Sequence, residues 1–254
     1  MTATPLAPPP PFERLSIVIP MWNEQDYIHR SVRACTEASE RIKATGLILD
    51  HEIVIVDDAS TDATPGLADA LATEDPHVVV VHHPVNRKLG GSIKSGLDAA
   101  TGDLVLYTDA DLPFDMFELD RAVRILRTYE ADVVSAFRHD RTGEGPRRAL
   151  YSWVYNRLIQ VMFGTRLRDI NFAFKLTRRS VLDAVQLRSE GSFVDAELLV
   201  RAQRLGFTVV QIGVDYFPRS RGVSTLSSPQ VIGGIVREMR ELRSELRALT
   251  PLQR

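Results

Sequence analysis

Asp109-Ala110-Asp111 closes the apolar run Leu104-Val105-Leu106-Tyr107-Thr108, and the pair of acids there could do chemistry. An uninterrupted apolar run is the pattern of a strand buried on both faces. Ligands of open α/β sheets bind beyond the carboxyl ends of such strands. Two carboxylates so close repel one another, and a divalent cation shared with a substrate phosphate offsets that repulsion. The pattern points to a metal-bridged diphosphate, such as that of a sugar nucleotide. The plainer alternative is a solvated turn, where Asp is common. A second acidic pair, Asp57-Asp58, ends the run His51–Val56 in the same way. If both runs are parallel strands, right-handed crossovers bring the two pairs to one sheet edge.

Three segments in order, Pro20-Met21-Trp22-Asn23-Glu24, Asp57-Asp58-Ala59-Ser60-Thr61-Asp62 and Asp109-Ala110-Asp111-Leu112, resemble the inverting family 2 glycosyltransferases. Within these, the chain is most similar to the dolichol-phosphate mannose synthase and polyprenyl-phosphate glycosyltransferase branch, over roughly residues 15–225. The three together are far more specific than a lone acidic pair. The resemblance implies an α/β fold of the nucleotide-diphospho-sugar transferase (GT-A) type, a Rossmann-like domain with a mostly parallel central sheet. It also implies transfer of a sugar, mannose or glucose, from a GDP- or UDP-sugar to a polyprenyl or dolichyl phosphate. Mg²⁺ or Mn²⁺ would be held by Asp109 and Asp111.

By the same resemblance Pro20, Trp22, Glu24, Val56, Asp58, Lys94, Asp109 and Ala110 bind the nucleotide sugar. Arg138, Arg148, Ser152 and Arg221 grip the acceptor phosphate, and Asp109, Asp111 and Arg148 act in catalysis. An Arg fork suits that grip because it donates bidentately to phosphate oxygens. Ser152 follows Arg148 by one helical turn and shares its face. For Arg141 and Arg147 the default is a solvated loop charge. Asp169 and Glu197 are further acids on the acceptor side; Asp169 would orient the sugar or a basic residue.

Several residue types carry two readings. Trp22 packs on a base or ribose, or in the core. Asp57 binds nucleoside or caps its turn. Gly90-Gly91 allow close backbone approach at a helix N-terminus, favourable for an anion, but a glycine pair alone more often marks a turn. Lys94 faces the diphosphate or the acids, or is a solvated helix-face lysine. Three positions depart from the family pattern: Lys88 and Ala173 stand where Gly is usual, and Pro113 where a Gln metal ligand is usual.

The mechanism depends on the acceptor. A sugar hydroxyl needs a general base, for which Asp195 and Glu197 are candidates; a phosphate is already anionic and needs none. The favoured course is a single displacement in which an acceptor phosphate oxygen attacks the anomeric carbon with inversion. The competing functions are transfer to a glycan or small hydroxyl acceptor, and non-catalytic binding of a nucleotide sugar. A nucleotidyltransferase would want a Gly-rich basic loop where Pro20–Glu24 stands.

The elements that must position these residues alternate. Strands are predicted at Leu15–Ile19 (ended by Pro20), His51–Val56, His77–His82, Leu104–Thr108, Asp132–Ala136, Asn171–Leu176 and Thr208–Phe217. Helices are predicted at Glu24–Lys43, Leu89–Ala100, Phe114–Tyr129, Arg148–Phe163, Arg179–Leu187, Asp195–Leu205 and Ser228–Leu249, with Thr61 or Asp62 capping a further one. Such alternation means βαβ units. Residues 1–13 read as a Pro-rich disordered tail, 14–227 as the catalytic domain, 228–254 as a C-terminal amphipathic helix and Arg138–Arg148 as a mobile loop.

The apolar stripe Val231, Ile235, Met239, Leu242, Leu246 and Leu249 packs on the core or in a homodimer, or lies in a membrane surface. A net charge of −2 over 254 residues gives no support for nucleic-acid binding, and the single Cys35, a small core residue, excludes an internal disulfide. No apolar run approaches the ~18 residues of a membrane span, and no basic-then-apolar leader opens the chain. The default expectation is a cytoplasmic protein, with peripheral contact at the cytoplasmic membrane face left open.

Overall fold

The computed structural model describes residues 10–139, 146–217 and 229–253, the side chains of 146–151 and 229–230 excepted. Seven strands form one sheet: β1 (Phe12–Met21), β2 (Ile48–Asp57), β3 (Val78–His82), β4 (Leu104–Thr108), β5 (Val133–Arg138), β6 (Phe174–Arg178) and β7 (Val209–Val214). Their order is β3-β2-β1-β4-β6-β5-β7. Six strands run parallel, and β6 is antiparallel to both its neighbours. The helices are α1 (Ile28–Ala44), α2 (Thr64–Glu74), α3 (Lys88–Ala99), α4 (Glu118–Thr128), α5 (Pro146–Phe163), α6 (Arg179–Ala184), α7 (Val194–Arg204) and α8 (Pro229–Ala248). The α/β, mostly parallel architecture expected of a GT-A domain is the one observed.

Side-chain alternation along the strands builds a core on each face. Leu15, Ile17 and Ile19 pack with Ile28, Val32, Cys35 and Ile42 of α1 and Leu119 and Val123 of α4. Val18, Val54 and Val56 pack oppositely, against Ile93 and Leu97 of α3. A third cluster joins α5, α7 and α8 through Ile159, Phe163, Phe193, Leu199, Met239 and Leu246. The C-terminal stripe is thus spent on the chain's own core: Ile235, Met239 and Leu246 are buried, with Val231, Leu242 and Leu249 packed beside them. That overturns the membrane-surface and homodimer readings of this stripe. No helix among the described residues is long and apolar enough to cross a membrane.

Several boundaries differ from the sequence expectation. β1 begins at Phe12, inside the segment read as a tail, because Phe12 N–H donates to Leu47 O at 2.9 Å and its ring packs in the core. β1 also runs through Pro20. Pairing with β4 stops at Val18, so Pro20 is bridged only to β2, and the proline removes no bond on the other side. α1 starts at Ile28 rather than Glu24. The N-cap of α2 is Ala63; Asp62 accepts the Thr64 N–H at 2.9 Å from one residue outside it. Arg138 ends β5 and Pro146 opens α5, so both leave the predicted loop; residues 140–145 of that loop lie outside the described residues, as do residues 1–9 of the predicted tail.

Candidate active site

The carboxyl ends of β1, β2 and β4 are adjacent, and they carry Trp22, the Asp57-Asp58 pair and the Asp109/Asp111 pair, as parallel crossovers require. Five of the six described non-glycine residues with positive φ lie at this edge, in loops or, for Lys88, at the first residue of α3: Asn23, Ala59, Lys88, Leu112 and Asp169. Backbone held in sparsely populated regions costs of order 1–3 kcal/mol per residue and gathers at functional sites. Lys88 has φ 61°, a left-handed conformation that a glycine would adopt without strain.

Trp22 is half exposed, which excludes the core reading and leaves its indole face open at the strand end. Glu24 N–H donates to Thr64 Oγ1 at 2.9 Å, tying its loop to the start of α2. Asp58 is buried and held by two donors on one oxygen: His83 Nδ1–H at 2.7 Å and the Arg87 N–H at 2.7 Å. A carboxylate only accepts, so the His83 proton sits on Nδ1; Nε2 faces Ser95 Oγ at 2.9 Å. Asp57 is the turn-capping acid. Its Oδ1 accepts the Ser60 N–H at 3.1 Å and its Oδ2 meets His82 Nδ1 at 2.9 Å, while His82 Nε2 reaches Asp69. The hydrogen bonds to Asp57 and then Asp69 raise the His82 pKa above its ordinary value. Val56 and Ala110 are buried, and their side chains pack in the core.

Asp109 and Asp111 are half-buried at the end of β4, and the Tyr107 hydroxyl donates to Asp109 Oδ1 at 3.4 Å. Burial and the surrounding acids Asp195 and Asp109 push the Tyr107 pKa up, which keeps it a neutral donor. Two carboxylates on one turn are hard oxygen donors and fit Mg²⁺ or Mn²⁺. Pro113 offers its carbonyl to the Phe217 N–H at 2.9 Å, a backbone role only. The other described cluster with metal-ligating types is Asp50, His51 and His77. It stands near the opposite end of β2 from Asp57, seven residues or about 23 Å away along the strand, and is no part of this site.

The glycine pair is explained differently from the expectation. A Cβ on Gly90 would lie 2.7 Å from the Glu190 carbonyl carbon, and Gly90 N–H donates to Glu190 O at 2.9 Å. The close approach is made by the chain's own 189–190 backbone, not by an anion. Lys94 is not a solvated helix-face lysine: it pairs with Glu190.

On the acceptor side, Arg138 donates to Asp169 through Nε at 2.7 Å and Nη2 at 2.6 Å, and its guanidinium lies over the Phe172 and Tyr216 rings. Both side chains are buried. Asp169 therefore orients a basic residue, and the fork expected to grip phosphate is committed to it. Ser152 lies on α5, where its carbonyl accepts from Asn156 Nδ2 at 2.7 Å; Asn156 Oδ1 in turn accepts the Ile170 N–H at 3.0 Å. The side chains of Arg147 and Arg148 lie outside the described residues, as do Arg141 and Arg221.

Both general-base candidates are spent. Glu197, fully buried, accepts the Arg188 and Ser189 N–H groups at 2.8–3.1 Å and the Arg201 guanidinium at 2.8 Å. Asp195 pairs with Lys175 at 2.7 Å; burial raises its pKa, only partly offset by that cation. Lys175 itself was not singled out from the sequence. It is fully buried and donates to the carbonyls of Ile170 (2.8 Å) and Phe172, pinning the loop that carries Asp169. A lone lysine inside the apolar run Phe172–Leu176 is the signal that marks it.

Residues 16–186 match the profile of glycosyl transferase family 2. The chain is 34% identical over 210 residues to glycosyltransferase AglD of Haloferax volcanii, covering 81% of this chain but only a third of that longer protein. It is 29% identical over 236 residues to the undecaprenyl-phosphate mannosyltransferase of Micrococcus luteus, covering 89% of this chain and 90% of that one. Among solved structures, glucosyl-3-phosphoglycerate synthase from Mycobacterium tuberculosis, in complex with Mn²⁺, uridine-diphosphate-glucose and phosphoglyceric acid, superposes with a TM-score of 0.66. That likeness, at 21% identity over 89% of this chain and 79% of that one, is one of fold.

Proposed function

The chain belongs to glycosyl transferase family 2, and on that premise we propose that it moves a sugar from a nucleotide diphosphate sugar to a polyprenyl phosphate by single displacement with inversion. One observation carries the choice of acceptor. Asp195 and Glu197, the acids available as a general base on the acceptor side, are buried in ion pairs with Lys175 and Arg201. A hydroxyl nucleophile would have to break one of these pairs to lose its proton, whereas a phosphate monoester is already ionised near neutral pH. Similarity to an undecaprenyl-phosphate mannosyltransferase over most of both chains supports the same reading.

In this reading Trp22 offers its exposed face to the base or ribose, and Glu24 and Asp58 stand at the nucleoside end. The His83 and Arg87 N–H donors fix Asp58 in place. Asp109 and Asp111 would hold the divalent cation seen in the mycobacterial neighbour, and Mg²⁺ suits the same oxygens. When bound, the cation stabilises charge building on the leaving nucleoside diphosphate. The acceptor phosphate oxygen forms a bond to the anomeric carbon as the bond to the diphosphate oxygen breaks, and the nucleoside diphosphate departs with that electron pair. Arg148, Ser152 and Arg221 are assigned to the acceptor phosphate.

The test is nucleotide release from a panel of UDP- and GDP-sugars with Mg²⁺ or Mn²⁺, with and without a short-chain polyprenyl phosphate. Release that depends on the lipid phosphate is expected, and it names the donor. Release only with sugar acceptors overturns the acceptor assignment, and binding without release overturns the transfer itself.

A further inference from the structure

The cluster set apart from the active site joins Asp50 and His51, near the start of β2, to His77, just before β3. One ligand atom from each lies within 4.8 Å of the other two. The two imidazole rings are parallel, with centroids 4.6 Å apart. His51 is 1% exposed, and neither of its ring nitrogens has a hydrogen-bond partner among the described residues. Glu40 Oε1, on an exposed side chain of α1, stands 3.5 Å from His51 Nδ1. A buried polar ring without a partner is costly, and a bound ligand would satisfy it.

The other two side chains are already oriented. Asp75 Oδ1 accepts the His77 backbone N–H at 2.9 Å and meets His77 Nδ1 at 2.8 Å. A carboxylate only accepts, so in the neutral ring the proton sits on Nδ1 and the lone pair on Nε2. Arg14 donates to Asp50 Oδ2 through Nε at 3.0 Å and Nη2 at 2.6 Å. Asp50 Oδ1 is then 3.7 Å from His77 Nε2. Two electron pairs face each other across that gap, and a cation between them turns repulsion into attraction. Ligands about 2.0–2.1 Å from a tetrahedral cation stand about 3.4 Å apart, close to this spacing. A carboxylate behind the far nitrogen, as Asp75 is here, is the usual support of a metal-bound imidazole.

The donor set says which cation. Two imidazoles and one carboxylate suit Zn²⁺, whereas the all-oxygen pair Asp109/Asp111 suits the harder Mg²⁺ or Mn²⁺. We propose that Asp50, His51 and His77 bind a divalent transition cation of the Zn²⁺ class, with Glu40 in reach as a fourth ligand. A turn of the His77 ring, the more exposed of the two, brings both imidazole lone pairs onto the cation. Bound there, the cation pins the turn between α2 and β3 to β2 and, through Arg14, to β1. The site is structural, stands at the end of β2 away from Asp57, and is independent of the acceptor reading.

The test is equilibrium dialysis of the full, untagged chain against micromolar Zn²⁺ in a large excess of Mg²⁺, which occupies the all-oxygen pair. One equivalent of Zn²⁺ is expected to stay with the wild type and with Asp111→Asn. His77→Ala, His77→Gln and Asp50→Asn should each lose it, and both His77 variants should keep Mg²⁺-dependent nucleotide release. Zn²⁺ at a hundredfold excess over Kd should raise the wild-type melting temperature by about 5 °C or more and leave that of the His77 variants unmoved. A wild type that retains no Zn²⁺ overturns the proposal, as do His77 variants that retain it fully. Loss of the Zn²⁺ in Asp111→Asn would place the ion in the active site and overturn it too.

Discussion

The two halves of the sheet handle charge in opposite ways. Around β1, β2 and β4 the acids sit at strand ends, and Asp58 and Asp57 are held by backbone N–H groups and imidazoles. Around β5, β6 and β7 the charges are closed into buried ion pairs: Arg138 with Asp169, Lys175 with Asp195 and Arg201 with Glu197. The first half leaves the carboxylates of Asp109 and Asp111 half-buried at a strand end. The second uses its charges on one another, as struts for the loops at 168–173 and 188–191. A charge removed from the first half should cost activity, and one removed from the second should cost stability.

The largest expected effect is in the second half. Arg138→Ala removes the guanidinium paired with buried Asp169, a loss of about 3–5 kcal/mol of unfolding free energy, read by urea denaturation. A change below about 1 kcal/mol would mean the pair is not a strut. Next, Asp111→Asn should lower transfer by about 10²–10³-fold, as loss of a charge-stabilising group does. Its melting temperature should hold, because relieving repulsion between neighbouring acids offsets any lost contact. Near-normal turnover, or a collapsed melt, would erase the contrast between halves.

Smaller effects sharpen it. Lys88→Gly should stabilise the fold by about 1 kcal/mol, since a lysine at positive φ is strained and a glycine is not. A destabilised variant would show that the lysine side chain compensates. The smallest effect concerns His82, whose raised pKa means its protonated form is favoured by folding. That contribution is complete below the ordinary imidazole pKa and disappears as pH rises through the folded value. The gap in denaturation midpoint between wild type and His82→Gln should therefore be widest in mild acid and narrow toward alkaline pH. It will be small because the ring is well exposed to solvent. A gap that widens with pH contradicts the pairing.

The donor half was legible in the sequence because its signals are local. Leu104–Thr108 is a buried strand with the predicted bounds, and Asp109/Asp111 follow it in any register. The acceptor half was not, because its pairs join residues distant in sequence: nothing at Glu197 announces the 188–189 backbone, and nothing at Lys94 announces Glu190. The glycine pair misled for the same reason. Its type reported a close approach correctly, but which backbone approached was a tertiary fact. Pro20 shows the converse, a strand breaker tolerated because its neighbour ends first. The stripe on α8 was read correctly as apolar, and only the packed structure chose the core as its partner.

The central claim is that the acceptor phosphate is its own nucleophile. The direct measurement is the pH dependence of kcat/KM for transfer to a polyprenyl phosphate and to its phosphonate analogue, whose second ionisation lies higher. The account predicts a rise as the phosphate takes its second charge, near pH ~6 for a monoester, then a plateau, with the inflection moving up for the phosphonate. An inflection that stays put when the acceptor is changed would belong to a protein base and would contradict the account.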